Sequence, residues 1–163
     1  MIVVDVETGG LNCELNPLLS IGAVDFDTNE TFYVEIMAYS GQHCTEQALQ
    51  VNGIDPNTWG NMILVHAMQK FDKWLQGRDI LLAGQNPSFD RDFCNYNFKQ
   101  TGVKTKFPHR TVDLHTIAYA KFGRSMTADD IYIELGMPPE PKPHNALRGA
   151  IVEAIAFHKL LKI

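Results

Sequence analysis

Asp5 and Glu7 stand two residues apart at the end of the apolar run Met1-Ile2-Val3-Val4, and the double glycine Gly9-Gly10 follows at once. The run has strand character, and residues two apart in a strand project from the same face. Both carboxylates are therefore expected to point one way, beside a turn where glycine lets the backbone approach a ligand closely. Two like charges held side by side repel, so one reading of the pair is a site for a hard divalent ion such as Mg²⁺, which takes oxygen ligands. The other is a strand end whose acids simply face water.

Two further segments set titratable groups at defined places. Gln85-Asn86-Pro87-Ser88-Phe89-Asp90 puts Asp90 at a helix start just past a buried strand, where open α/β sheets tend to hold catalytic groups. Taken alone, Asp90 is explained as a first-turn acid favoured by the helix dipole. Pro143-His144-Asn145-Ala146-Leu147-Arg148 puts a histidine at the opening of the last helix. Alone, that histidine reads as structural or solvated.

The elements that must position these groups follow from pattern. Strands are expected over residues 1–5, 18–26 and 31–37, with Asp27-Thr28-Asn29-Glu30 as the hairpin turn between the last two. A polar stretch over residues 41–59 reads as short helices and turns. Met62, Val65, Met68, Phe71, Trp74 and Leu75 recur at helical spacing up to Gly77. Residues 80–84 form a short buried strand, and Pro87 opens a helix with Phe89, Phe93 and Tyr96 on one face. Residues 111–113 make a last short strand, followed by a helix through Phe122 and another over 128–135. After the proline-rich loop 138–143, a long helix is expected to turn Leu147, Ala150, Ile151, Ala154, Phe157 and Leu161 inward. The result is an α/β sandwich on a mixed sheet.

A length of 163 residues fits one domain, residues 1–163, with a sizeable core. With 45% hydrophobic and 20% charged residues, the composition is that of a globular chain and excludes disorder. No apolar stretch approaches the roughly 20 residues of a membrane helix, and the start lacks signal-peptide features. Cys13, Cys44 and Cys94 are scattered, without the pairing of a disulfide framework or zinc site. A cytoplasmic location is the default. The net charge of −5 argues against a broad grip on duplex phosphates. Any nucleic-acid contact must be local, such as a short single strand with metal ions supplying positive charge.

Together, the three segments resemble the DEDDh family of 3′–5′ exonucleases, across essentially the whole chain. Asp5-Val6-Glu7-Thr8-Gly9-Gly10-Leu11 is similar to the first motif, Asn86-Pro87-Ser88-Phe89-Asp90-Arg91-Asp92-Phe93 to the second, and His144-Asn145-Ala146 to the start of the third. The resemblance implies a ribonuclease-H-like fold with a five-stranded mixed sheet flanked by helices. It also implies hydrolysis of single-stranded DNA or RNA from the 3′ end, with two divalent ions, Mg²⁺ or Mn²⁺, and release of nucleoside 5′-monophosphates. Small relatives are often homodimers.

The same resemblance assigns roles. Asp5 would bridge both ions, Glu7 would help hold the nucleophile-side ion, and Asp90 would orient the second. His144 would be general base on the attacking water, a task that suits a histidine's ordinary pKa of about 6.5. The backbone at Thr8 and Gly9 would receive the terminal 3′-hydroxyl, Leu11 would wedge against the last base, and Phe89 would pack under the terminal nucleotide. Plain core packing is the simpler expectation for Phe89.

One position departs from the family pattern. The third motif implies an aspartate five residues after the histidine, and the chain has Gly149 there. A glycine inside a helix costs about 1 kcal/mol relative to alanine, so the helix gains nothing from it. Glu153 lies a turn further on. A displacement of about 6 Å along the axis is large beside metal–oxygen distances of about 2 Å, so it is not expected to substitute. The nuclease is therefore expected to be weakened or inactivated, and Asp at 149 to restore a ligand without harming the fold. A catalytically silent nucleic-acid- or protein-binding relative is the alternative. A phosphatase or nucleotidase using the same acids is a third reading, against which the Gly9-Gly10-Leu11 turn favours a nucleic-acid end.

Overall fold

The computed structural model describes residues 1–38 and 42–162. Gly41, where the polar stretch is expected to begin, lies outside the described residues. Five strands, β1 (Ile2–Thr8), β2 (Leu18–Asp25), β3 (Thr31–Glu35), β4 (Leu82–Gly84) and β5 (Thr111–Asp113), form one sheet in the order β3-β2-β1-β4-β5. The β1–β2 and β2–β3 pairs are antiparallel, whereas β1–β4 and β4–β5 are parallel. The helices are α1 (Glu46–Asn52), α2 (Leu64–Leu75), α3 (Pro87–Gln100), α4 (Leu114–Phe122), α5 (Ala128–Glu134) and α6 (Ala146–Leu160). The mixed five-stranded sheet expected from the sequence is thus present.

Alternation along β1 sorts its side chains between two cores. Ile2, Val4 and Val6 join one apolar cluster with Ala67, Met68 and Phe71 of α2 and Phe93 and Phe98 of α3. Val3 joins the other, with Leu114, Ile131, Ala150, Ala154 and Phe157 of α4 to α6. Asp5 and Glu7 continue the Val3 side of the pleat, which is the side of α6. The strand runs further than expected, to Thr8, because pairing with β2 persists to Thr8↔Leu18. Its register shifts between Glu7 and Thr8, an irregularity that re-aims side chains.

Two helix faces differ from expectation. In α3 the buried stripe is Pro87, Asp90, Phe93, Cys94, Asn97 and Phe98, with Tyr96 at its edge. In α6 the buried residues are Ala146, Gly149, Ala150, Glu153, Ala154, Ala156, Phe157 and Leu160. Ile151 and Leu161 are exposed. The start of α6 explains the rotation. A Cβ on Gly22 of β2 would lie 2.1 Å from the carbonyl of Ala146, so the helix backbone lies directly on the sheet. That close approach turns its small residues, rather than its large ones, toward β1 and β2.

Candidate active site

Four carboxylates meet where β1 and β4 end. Asp5 and Glu7 come from β1. Asp90 comes from the first turn of α3, which is launched by Asn86 in the left-handed region (φ 51°) and by Pro87, a conformation that asparagine tolerates. Asp90 Oδ1 accepts from the Val6 N–H at 3.0 Å. The described β1–β4 pairing stops at Val3↔Ala83, and Asp90 satisfies a β1 donor beyond it. The fourth is Glu153 of α6, whose Oε2 accepts from Gln85 N–H at 3.2 Å. A Cβ on Gly84 of β4 would lie 3.1 Å from Glu153 Oε2 and 3.1 Å from the carbonyl of Val4, so the Glu153 carboxylate sits against the β1–β4 edge beside Asp5, on whose charge it acts. A helical side chain covers the turn N-terminal to its own Cα, which is how a residue one turn late reaches this level.

Gly149 faces the same place. A Cβ built there would lie 2.0 Å from Oδ2 of Asp5, so the Asp5 carboxylate occupies the space of the missing side chain. An aspartate at 149 therefore meets Asp5, whose carboxylate would have to turn away to admit it.

The electrostatics record the crowding. Asp5 is pushed well above the usual carboxylate range by burial, then by Glu153, Asp90, Glu7 and Glu140. Burial likewise raises Glu153, with Asp90 the next cause, against the Gln85 N–H. Burial raises Asp90 against the opposing Val6 N–H, with Glu7 adding to the rise. Glu7 is raised to about 7 by burial and by Glu140, with Arg148 opposing. Buried like charges at this density want a cation, and an all-oxygen donor set suits a hard divalent ion. Among the described residues, no group of three or more Asp, Glu, His or Cys side chains is arranged to hold a metal ion. The donors fit in kind, and gripping an ion requires side-chain rotation.

The residues expected on the substrate side lie beside the acids. A cavity of about 220 Å³ is lined by Val6, Glu7, Thr8, Leu11, Val51 and Phe89, among others. Leu11 projects from its rim, 88% exposed. Phe89 packs on Phe93 with ring centroids 4.9 Å apart, the core contact expected of it, and also lines the cavity. The glycine turn is tightly held: Gly9 N–H donates to Pro17 O at 2.8 Å, and Gly9 O accepts from Thr45 N–H at 2.7 Å. Thr8 O accepts from Asn52 Nδ2 at 3.2 Å. Gly9 N–H is therefore committed within the protein. Neither Asn52 nor Glu140 emerged from the sequence as a site residue.

His144 precedes α6, which Asn145 caps by accepting from Arg148 N–H at 3.1 Å. His144 Nδ1 lies 3.3 Å from Glu140 Oε2. The motif histidine thus stands at the start of the helix that carries Gly149 and Glu153.

Residues 2–157 match the family model described as Exonuclease. Ribonuclease T of Yersinia pseudotuberculosis is 26% identical over 180 residues, spanning 98% of this chain and 83% of its own. The nuclease domain of 3′hExo, a DEDDh family member solved with bound rAMP, superposes with a TM-score of 0.76 at 14% identity, covering 99% of this chain and 90% of that one. Escherichia coli Exonuclease I, solved with a 5cy-dT13 oligonucleotide, gives a TM-score of 0.78 at 15% identity and covers 99% of this chain. This chain spans only 40% of that one. The chain belongs to the exonuclease family, on the ribonuclease-H-like fold it shares with a DEDDh family member.

Proposed function

We propose that this chain removes nucleoside 5′-monophosphates from the 3′ end of single-stranded DNA or RNA, using two divalent ions, Mg²⁺ or Mn²⁺. The observation that carries this reading is the cluster of mutually repelling carboxylates Asp5, Glu7, Asp90 and Glu153 beside a cavity lined by Glu7, Thr8, Leu11 and Phe89. Asp5, Glu7 and Asp90 would hold the ions, and Glu153 is the carboxylate nearest in role to the one Gly149 lacks. When bound, such ions supply an activated water and stabilise the leaving oxygen. His144 takes the proton of the attacking water. Leu11 and Phe89 flank the terminal nucleotide, and the Thr8 carbonyl accepts from its 3′-hydroxyl. The ribonuclease T relatives favour RNA as substrate, whereas the Exonuclease I oligonucleotide is a deoxy strand; both belong in the test.

The experiment uses oligonucleotides labelled at either end, with Mg²⁺ or Mn²⁺. A 5′-labelled strand should shorten stepwise while monophosphates accumulate, a blocked 5′ end should change nothing, and EDTA should stop the reaction. Loss of cleavage on blocking the 5′ end would reverse the polarity. Gly149, with Asp5 leaning into its space, favours one second reading: a relative that binds strands without cutting them. Retained oligonucleotide binding with no monophosphate released under either metal would select it.

A further inference from the structure

The loop between α5 and α6 carries four prolines, at 138, 139, 141 and 143, yet it does not leave its one acid in solvent. Arg148 of α6 donates through Nη2 to the carbonyls of Pro141, at 3.2 Å, and of Pro143. Glu140 N–H donates to Asp129 Oδ1 at 3.3 Å. These ties fold the loop back, so that the Glu140 side chain is only 16% exposed. Its Oε2 lies 3.3 Å from His144 Nδ1, and its Oε1 is buried without a hydrogen-bond partner among the described residues. Glu140 is held there against the charge of Glu7, Asp5 and Glu153, each of which it disturbs. A loop glutamate free to face water has no reason to sit among three acids. The group beside it that repays the position is the imidazole of His144.

We propose that Glu140 is the positioning residue for His144: it holds the imidazole with Nδ1–H toward its carboxylate and so leaves Nε2 with the lone pair that accepts the proton. The inference rests on the exonuclease reading for the use made of that proton, and on the Glu140–His144 contact alone for the geometry. A carboxylate against one ring nitrogen fixes the tautomer and orientation of a histidine. It also offsets the positive charge the ring acquires when water gives up its proton to Nε2. Neither the first two motifs nor the helix pattern supplies this partner. It comes from the loop, four residues ahead of the histidine.

The test begins with the whole chain, metal-free and labelled with ¹⁵N in its six histidines, above the range where imidazole is protonated. The His144 signals are assigned by their loss in His144→Ala. His144 should show the Nδ1–H tautomer in the unsubstituted chain. It should move to the Nε2–H form preferred in water in Glu140→Ala, and keep Nδ1–H in Glu140→Gln, whose amide oxygen still accepts. An unchanged tautomer in Glu140→Ala overturns the proposal. In cleavage, Glu140→Ala should lower kcat by about 10- to 100-fold with KM for the oligonucleotide unchanged, and Glu140→Gln should recover most of the loss. In a His144→Ala background, Glu140→Ala should cost nothing more, and additive losses overturn the proposal. If the unsubstituted chain cleaves nothing under either metal, the exonuclease reading falls, and the tautomer still decides whether Glu140 positions His144.

Discussion

The sheet carries acids at both ends of β1, and the two ends treat them oppositely. Opposite Ile2, Asp25 receives Arg78 Nη1 at 2.6 Å and the N–H groups of Asp27 and Thr28. Arg78 also reaches Glu30 at 2.5 Å and lies 4.4 Å from the Trp74 ring centroid. Burial pushes Asp25 up, but these donors together bring it below the usual carboxylate range. At the far end, Asp5, Asp90 and Glu153 are driven well above that range, and among the described residues no arginine meets them in this way. One end is a finished ion pair that holds strands together. At the other, burial and mutual repulsion disfavour the ionised carboxylates, a cost that a bound cation would offset.

The largest expected effect separates the ends by what they serve. His144→Ala should lower kcat by about 10² to 10⁴ and leave the melting temperature nearly unchanged. Arg78→Met should do the reverse, lowering the melting temperature while kcat stays in place. Single-turnover cleavage and calorimetry on both variants measure this, and a loss of cleavage from Arg78→Met equal to that from His144→Ala would erase the distinction.

Next in size is the metal response of α6. Glu153→Gln should weaken Mn²⁺ binding at least about tenfold, or 1.4 kcal/mol, in isothermal titration. Gly149→Asp should strengthen binding but lower the metal-free melting temperature, because Asp5 must leave the space beside residue 149 and a further charge joins the cluster. A titration in which Glu153→Gln binds metal as tightly as the unsubstituted chain would return Glu153 to a purely structural role as acceptor for Gln85 N–H.

How much of this was legible in the sequence depends on whether local periodicity governed the residue. Asp5 and Glu7 share a face because a strand has period two, and Asp90 falls in the first turn of α3 because Asn86-Pro87 opens that helix; both were readable. The face of α6 was not. Its sequence allows more than one apolar stripe, and the choice was made by Gly22, whose missing side chain lets Ala146 lie on β2. That contact turns Gly149 and Glu153 inward and Ile151 outward, so Glu153, discounted on axial distance, ends beside Asp5. Glu140 was silent for another reason. A proline-rich loop has no periodicity, and only the grip of Arg148 on its carbonyls decides where its side chains go.

A contrast in sign compares the same neutral exchange at the two ends. Asp25→Asn removes the charge and the carboxylate oxygen that accepts from Arg78, and should cost about 1.5 to 3 kcal/mol of stability. Asp5→Asn relieves repulsion and should raise the melting temperature in EDTA. Chemical denaturation of both variants without metal gives the two signs, and a loss in both would mean that Asp5 is held by contacts as favourable as those of Asp25.

The smallest effect is the pH dependence of stability, and its sign follows from the direction of each shift. Glu7 has its pKa raised on folding, from an ordinary value near 4.5 to about 7. Between those values the folded chain holds a proton that the unfolded chain has released, so stability falls as pH rises through this window. Asp5, Asp90 and Glu153 shift the same way and add to the slope. Asp25 works in reverse: its lowered pKa contributes stability above the ordinary aspartate value, which is lost as pH falls below it. Melting curves in EDTA from pH 4.5 to 7.5 should therefore decline, and Glu7→Gln should flatten part of the decline. Saturating Mg²⁺ should remove most of it, because a bound cation favours the ionised carboxylates in the folded state. A metal-free melting temperature that rises across the same range would show that the acids at this end are as well compensated as Asp25.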